Sequence, residues 1–201
     1  MRTTQKIISG ILHPLTLPFF GTILLLNIGI FGELPLSYRI YVEGIVLLNM
    51  GLFPALGIYL LMKGGHISDL DVSKRTERMF PYLIVLISSL AGCYLLYRVQ
   101  MPWWIIKFFL GAILSTILAF FITLKWKISA HTMAFGCVMG SAILICVNES
   151  INPMFILSIM FLLAGVQASS RLYLKAHTIG QVCCGFLLGV VSVTATFYLI
   201  P

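Results

Sequence analysis

The segment SRLYLKAHTIGQ, residues 170–181, places an arginine and a histidine between two long apolar stretches. Arg171 and His177 are six positions apart, so on one continuous helix they would face different directions. We therefore predict a helix break in LYLKA, with Arg171 ending one helix and His177 opening the next. A helix N-terminus attracts anions and disfavours the imidazolium, which leaves a neutral ring nitrogen able to attack. Gln181, at i+4, is within hydrogen-bonding reach of His177.

A second polar segment, KWKISAH at 125–131, has the same design. Ser129 is a suitable N-cap residue, and Ala130 and His131 then follow at the start of another helix. The free backbone N–H groups of such a helix start, together with the Ser129 hydroxyl, are suited to holding phosphate oxygens. The segment therefore predicts a second histidine at an anion-binding helix N-terminus.

A third polar segment, GGHISDLDVSKRTERMFPY at 64–82, carries most of the remaining charge. If it is helical, five polar side chains form one stripe, at i, i+3, i+4, i+7 and i+11: Asp71, Lys74, Arg75, Arg78 and Tyr82. Glu77 would point elsewhere and balance charge. Two histidines with several cations suit a phosphoryl group, because one histidine attacks, the other protonates the leaving group and the cations balance the transferred charge.

The elements that must position these side chains are membrane-spanning helices. The chain of 201 residues is 60% hydrophobic and 9% charged, whereas soluble domains carry about 25% charged residues. We predict an all-α, polytopic integral membrane bundle forming a single membrane domain over 1–201. Apolar runs near the spanning length of about 20 residues predict seven spans, of which the third and sixth are short enough to allow six: 7–31, 40–63, 81–99, 102–124, 129–147, 154–170 and 178–200.

Two further expectations concern these spans. His13, Pro14 and Pro18 interrupt the first span, which should kink or enter the membrane at an angle. All five cysteines lie in apolar spans and should be small buried hydrophobes, not disulfide or zinc ligands: Cys93, Cys137, Cys146, Cys183 and Cys184.

The number of intervening spans places the three polar segments on one face of the membrane. Two spans separate the first from the second and two more separate the second from the third, and an even number returns the chain to the same side. That face holds ten of the thirteen Lys and Arg residues. The positive-inside rule then predicts that this face is cytoplasmic. The expected location is a bacterial cytoplasmic membrane. No soluble basic domain exists to bind nucleic acid.

The arrangement resembles the type 2 phosphatidic acid phosphatase superfamily, whose motifs in order are K-x6-R-P, P-S-G-H and S-R-x5-H-x3-D. Ser170, Arg171, His177 and Gln181 match the third with the right spacings, 128–131 resembles the second, and KRTERMFPY loosely resembles the first. The resemblance covers roughly 40–200. It implies that His177 is the nucleophile and His131 the general acid, with Arg171 as a catalytic cation. It further implies a phosphate cradle of six residues: Lys74, Arg75, Arg78, Ser129, Ala130 and Ser170.

The sequence departs from these motifs at three positions. Asp71 stands at the lysine position of the first motif, so Lys74 or Arg75 must substitute; Ala130 replaces glycine. Gln181 replaces the aspartate that orients the nucleophilic histidine, and an amide accepts a hydrogen bond but offers no charge. Activity is then slow, or another carboxylate, Asp69 or Asp71, orients the ring, or the protein is no longer a phosphatase.

The sequence therefore favours a membrane phosphatase that hydrolyses a lipid phosphate or polyprenyl diphosphate through a phosphohistidine. A non-catalytic lipid-phosphate binder or transporter on the same scaffold, and a structural subunit of a larger complex, are the alternatives. Each polar segment also has a simpler interpretation. The segment 64–82 is then a basic patch that touches lipid headgroups, His131 is an interfacial histidine, and Arg171 with His177 is a pair that ends a helix. The expected partners are membrane lipids and a phosphorylated lipid. No metal or other cofactor is needed, because the cations supply the charge neutralisation.

Overall fold

The computed structural model describes residues 2–27 and 34–200, with the backbone alone at residue 2. These residues form helices and connecting loops, with no strand among them. A π-helical turn, Leu47–Leu52, joins the helices Leu36–Val46 and Phe53–Lys63 into one continuous helix. The helices are α1 (Arg2–Ile11), α2 (Leu17–Leu25), α3 (Leu36–Val46), α4 (Phe53–Lys63), α5 (Met79–Arg98), α6 (Trp103–Lys125), α7 (Ala130–Asn148), α8 (Met154–Tyr173) and α9 (Ile179–Leu199).

Within the described ranges, six helices are long and apolar enough to cross a membrane, as expected of an integral membrane protein. They are the joined helix Leu36–Lys63 and the helices of α5 to α9. The predicted spans from 40–63 onward are confirmed, and their ends differ from the observed ones by at most four residues. The polar segments all lie at one end of this bundle, as the span count predicts.

The predicted first span, 7–31, is wrong where the structure describes it. Two short helices, α1 and α2, replace it, and 28–31 lie outside the described residues. The helix is interrupted around His13 and Pro14, because proline has no N–H to continue the helical hydrogen bonding. Thr16 closes the break, since its hydroxyl donates to the Ile11 carbonyl at 2.9 Å and to the His13 carbonyl at 2.8 Å.

The segment before α5 is also not the helix on which the predicted polar stripe depends. Only Arg75–Glu77 forms a short 3₁₀ turn. Val72 has a φ of 46° and Lys74 is extended, both incompatible with a continuous helix. The Asp69 carboxylate accepts hydrogen bonds from the backbone N–H and hydroxyl of Ser73, a local bond pattern that favours a turn over a helix. The side chains of this loop therefore point in several directions.

Helices α7 and α9 pack in close contact, and this packing brings two of the polar segments together. A Cβ added at Gly189 would lie 2.1 Å from the Met133 carbonyl oxygen, and one added at Gly136 would lie 2.1 Å from that of Phe186. Small residues allow such backbone contact between membrane helices. The N-termini of α7 and α9 consequently lie side by side, and the Thr132 hydroxyl donates to the Val182 carbonyl at 2.9 Å.

The cysteines only partly follow the prediction. All five are free, and Cys93, Cys137 and Cys146 are buried in the bundle. Cys183 and Cys184 are exposed, because they lie on the part of α9 that does not face α7. The expectation that every cysteine is a buried hydrophobe is therefore wrong for these two.

Candidate active site

His177 lies between two helices, as the break predicted in LYLKA requires. Helix α8 ends with the backbone N–H of Ala176 donating to the Arg171 carbonyl at 3.0 Å and that of Lys175 donating to Leu172 at 2.9 Å. With Lys175 at a φ of 55°, this is the Schellman pattern of helix ends. The chain then turns back, Thr178 caps α9, and the His177 ring is buried just before that helix begins.

Gln181 fixes the tautomer of His177. Its side-chain oxygen accepts the backbone N–H of Thr178 at 3.2 Å, and the Thr178 hydroxyl accepts the backbone N–H of Gln181, which together form a capping box. The same oxygen lies 3.0 Å from His177 Nδ1. An amide oxygen cannot donate, so Nδ1 carries the proton and Nε2 keeps its lone pair. His177 Nε2 is buried without a hydrogen-bond partner in the described chain.

Three cations surround His177: Arg171, Arg78 and Lys127. Arg171 is 1% exposed, and its Nε is buried without a partner. Arg78 is also buried, and its Nε and Nη1 donate to the carbonyls of Val72 and Ile128 at 3.0 and 2.8 Å. These two bonds to neutral carbonyls hold the Arg78 guanidinium in place without neutralising its charge.

Lys127 is a member of this cation group that the sequence does not single out. It precedes α7, and its Nζ donates to the carbonyl of Ala176, next to His177, at 2.8 Å. Burial, then the nearby charges of Arg78 and Arg171, lower the pKa of Lys127. The only signal in the sequence is its position four residues before His131 in the KWKISAH segment.

The His177 ring is neutral near pH 7. Burial, followed by the charges of Arg78, Lys127 and Arg171, lowers the pKa of His177 to about 3, against the weaker opposing effect of the Gln181 hydrogen bond. A buried, neutral imidazole with a free nitrogen beside three cations is an arrangement suited to attack on an anionic electrophile. Unpartnered buried polar atoms such as these are uncommon and call for an explanation.

His131 lies in the first turn of α7, where it interacts electrostatically with His177, Arg171 and Arg78. Its Nε2 lies 3.5 Å from the Ser9 hydroxyl, and that hydroxyl accepts a hydrogen bond of 2.7 Å from Arg171 Nη1. Ser9 of α1 therefore connects the segment KWKISAH, which carries His131, with the segment SRLYLKAHTIGQ, which carries Arg171.

His13 also contacts His131, and its ring packs edge-on at a centroid distance of 5.1 Å. Burial lowers the pKa of His13, with Asp71 opposing and Arg171 reinforcing the effect. The sequence places Ser9 and His13 inside a membrane span, so this reasoning misses both as site residues. Their spacing of four residues ahead of a proline is the only local signal.

Two of the expected phosphate ligands point away from the cluster. The Lys74 side chain is 65% exposed, and its Nζ lies 3.0 Å from a Glu77 carboxylate oxygen. Glu77 therefore balances the charge of Lys74, an expected phosphate ligand. Arg75 Nη1 donates to the carbonyls of Thr123 and Leu124 at the end of α6. The predictions for Lys74 and Arg75 assume that the segment before α5 is helical. Because this segment is a loop, neither residue lies where the prediction requires it.

The other expected cradle residues lie at the cluster. Ser129 is fully buried and caps α7 by accepting the backbone N–H of Thr132 at 3.4 Å, which confirms the predicted N-cap. Ala130 begins α7 beside His131. Ser170 is fully buried, but its hydroxyl donates to the Gln5 carbonyl at 2.8 Å, so it anchors α1 to α8.

Asp71 orients Arg171, not His177. One carboxylate oxygen lies 3.4 Å from Arg171 Nη1, and the Asp71 side chain is 49% exposed. Asp69 is engaged with Ser73. Among the described residues, the group that orients the His177 ring is therefore the Gln181 amide.

A cavity of about 150 Å³ opens beside these groups. Its polar end holds His13, Asp71, Arg78 and His131. Its walls continue into the bundle along apolar side chains that include Met50, Ile58, Phe108, Phe109 and Val138. The cavity therefore joins apolar walls to a polar end formed by two imidazoles, one guanidinium and one carboxylate, whereas His177, Arg171 and Lys127 do not line it.

Comparison with known proteins gives no relative. No family model matches the chain, no curated protein sequence matches it, and no solved structure matches its fold.

Proposed function

We propose that the protein is an integral membrane phosphatase that hydrolyses a lipid phosphate or a polyprenyl diphosphate. One observation carries the proposal: the neutral His177 presents an unpartnered Nε2 among three cations. The resemblance of the motifs to type 2 phosphatidic acid phosphatases supports the same reaction.

The proposed reaction has two steps. His177 Nε2 bonds to phosphorus as the bond from phosphorus to the leaving oxygen breaks, and His131 gives that oxygen its proton. Water then attacks phosphorus and gives a proton to His131, which restores the proton that His131 lost in the first step. The bond from nitrogen to phosphorus breaks, and inorganic phosphate leaves. Arg171, Arg78 and Lys127 stabilise the charge on the transferred oxygens in both steps.

The cavity supports a lipid substrate. Apolar cavities near 150 Å³ hold a group about the size of benzene, so the chamber matches a short stretch of hydrocarbon next to the phosphate. A substrate anchored in lipid would reach the site laterally, with its phosphate at the polar end of the bundle.

The orientation of the protein belongs to the same proposal. Ten of thirteen Lys and Arg residues belong to the face that carries the site, and positive charge accumulates in cytoplasmic loops. We place the site at the cytoplasmic surface of the membrane. Labelling a single cysteine at exposed Lys74 with a membrane-impermeant maleimide, in a variant lacking the native cysteines, tests this. Modification in inverted vesicles but not in intact cells is expected, and the opposite pattern would overturn it.

Phosphate release tests the activity. Purified protein is given short-chain lipid phosphates in detergent, and free phosphate is measured. Release that His177→Ala abolishes supports the enzyme. His66→Ala is the matched control, because His66 is an exposed histidine of the same polar face and should leave release unchanged. Absence of release by the folded wild-type protein on both monophosphates and diphosphates would overturn the proposal.

A lipid-phosphate binder is the second candidate, and the Gln181 amide favours it. An amide orients the ring but gives no charge to stabilise a cationic phosphohistidine. Saturable binding of the same lipids without phosphate release, weakened in Arg171→Met, would select this function over the first.

A further inference from the structure

A second cluster, separate from the His177 nitrogen, lies at the polar end of the cavity. His13, Asp71 and His131 each offer one ligand atom, and these atoms lie within 4.8 Å of one another. They come from three parts of the chain: the break between α1 and α2, the loop before α5 and the first turn of α7. We propose that this cluster binds a transition-metal cation of the zinc class.

The ligand types define the class of cation. Two imidazoles and a carboxylate suit Zn²⁺ and Co²⁺, whereas Mg²⁺ and Ca²⁺ prefer sites made of oxygen. In a tetrahedral site with bonds of about 2.0–2.1 Å, ligand atoms lie roughly 3.3 Å apart. The three ligand atoms lie within 4.8 Å of one another in the structure, so metal binding must bring them closer together. Asp71 is half exposed and free to turn. Three ligands leave a fourth position for water, or for the Ser9 hydroxyl 3.5 Å from His131.

Two existing contacts compete with metal binding, and both are long. The Asp71 carboxylate pairs with Arg171 at 3.4 Å, but Arg171 keeps its shorter bond of 2.7 Å to Ser9 if Asp71 turns away. His13 Nδ1 accepts the backbone N–H of Leu15 at 3.3 Å, a long hydrogen bond. Coordination replaces these two contacts without disturbing the helices.

The site does not depend on the proposed phosphatase reaction, which needs no metal. If that reaction occurs, however, the two uses of His131 exclude each other. A metal binds the neutral imidazole, whereas the proton donor is the imidazolium, so a metal-bound His131 cannot serve as the general acid. The cation is then an antagonist of the reaction and not its cofactor.

Titration with Co²⁺ tests the site, because bound Co²⁺ has a visible absorption that reports its coordination. The full chain in detergent is expected to bind one Co²⁺ saturably, and Zn²⁺ is expected to displace it. Removing a residue that only hydrogen-bonds to a metal ligand weakens metal affinity by about 10–100-fold. We therefore expect His13→Gln and Asp71→Asn each to weaken Co²⁺ binding by at least about 100-fold.

Matched controls separate this cluster from other groups on the same face. His66→Gln and Asp69→Asn remove one imidazole and one carboxylate of the same polar loop outside the cluster, and both should bind Co²⁺ as the wild type does. Gel filtration and thermal unfolding check that each variant is folded. If His13→Gln is unfolded, Asp71→Asn still gives the answer, because its side chain is half exposed. No saturable Co²⁺ binding, or equal loss in cluster and control variants, would overturn the proposal.

Discussion

Replacing Gln181 by glutamate should raise the pKa of His177. The substitution keeps the side-chain length, so a carboxylate oxygen can occupy the position that the amide oxygen holds 3.0 Å from Nδ1. Glutamate is also a favoured residue at this capping-box position and in the first turn of a helix. The change therefore adds one negative charge beside the ring while leaving the local structure in place.

The magnitude follows from the distance. Two unit charges about 4 Å apart interact by about 4 kcal/mol at an effective dielectric constant of about 20. Each pH unit of pKa corresponds to about 1.4 kcal/mol, so the upper limit is a rise of about 3. Gln181 is partly exposed, and solvent screening reduces the effect. From about 3 in the wild type, the pKa of His177 should rise to between about 4 and 6.

Nuclear magnetic resonance of histidine-labelled protein in detergent measures this pKa directly. The chain has four histidines, so a His177→Gln sample assigns the signal. Gln181→Met is the control, because it removes the oxygen at nearly the same length; its His177 pKa should stay low while the loss of the cap lowers stability by about 1 kcal/mol. A folded Gln181→Glu protein whose His177 titrates as in the wild type would refute the reasoning.

The same substitution bears on the proposed reaction. Gln181 contacts His177, and aspartate, the residue of the family motif at this position, is one methylene shorter than that contact requires. Glutamate is the better test. The carboxylate of a serine-protease triad contributes about 10⁴ to the rate, so a gain of at least about tenfold in phosphate release is the expected direction.

Other predictions follow from the packing and the charges of the site. Gly189→Ala should lower the melting temperature markedly, because its Cβ would meet the Met133 carbonyl, whereas Gly165→Ala, with nothing within 4 Å, should be neutral or slightly stabilising. Lys127→Met should weaken inhibition by inorganic phosphate by about tenfold or more, since a charged hydrogen bond contributes about 1.5–3 kcal/mol, while Lys125→Met, an exposed lysine, should not. The pKa of His177 in the folded state, about 3, lies below its unfolded value of about 6.5. The neutral ring therefore contributes stability above about pH 6.5, and this contribution is lost as the pH falls toward 3. Thermal unfolding of His177→Gln should accordingly depend less steeply on pH in that range than unfolding of the wild type. Zn²⁺ should inhibit phosphate release, and a chelator should reverse this inhibition. Asp71→Asn should raise the zinc concentration that gives half-maximal inhibition.

The spanning helices were predictable because a membrane imposes strong limits on sequence. A span must be apolar for about 20 residues and must satisfy its own backbone, and the ends of α5 to α9 lie where the polar residues begin. The interruption of the first predicted span at His13 and Pro14 was expected from the sequence, but a proline does not by itself show whether a helix kinks or ends, and here the run divides into two short helices.

The site was predictable only where local rules apply. The helix break after Arg171, the contact from Gln181 to His177 and the cap at Ser129 all follow from spacing within one turn. Ser9 contacts Arg171 across 162 residues, and no local pattern indicates such a pair. The expected ligands Lys74 and Arg75 failed for the same reason, because their direction depends on a loop whose path the helical spacing rule does not describe.

Helix α1 has a practical consequence for anyone handling the protein. Gln5, Ser9 and His13 each contact the buried groups at the polar end, so the opening residues are part of the architecture of the site. A purification tag or fluorescent fusion placed ahead of them would adjoin a helix whose contacts hold the site together. Leu199, 80% exposed at the far end of α9, is the safer attachment point.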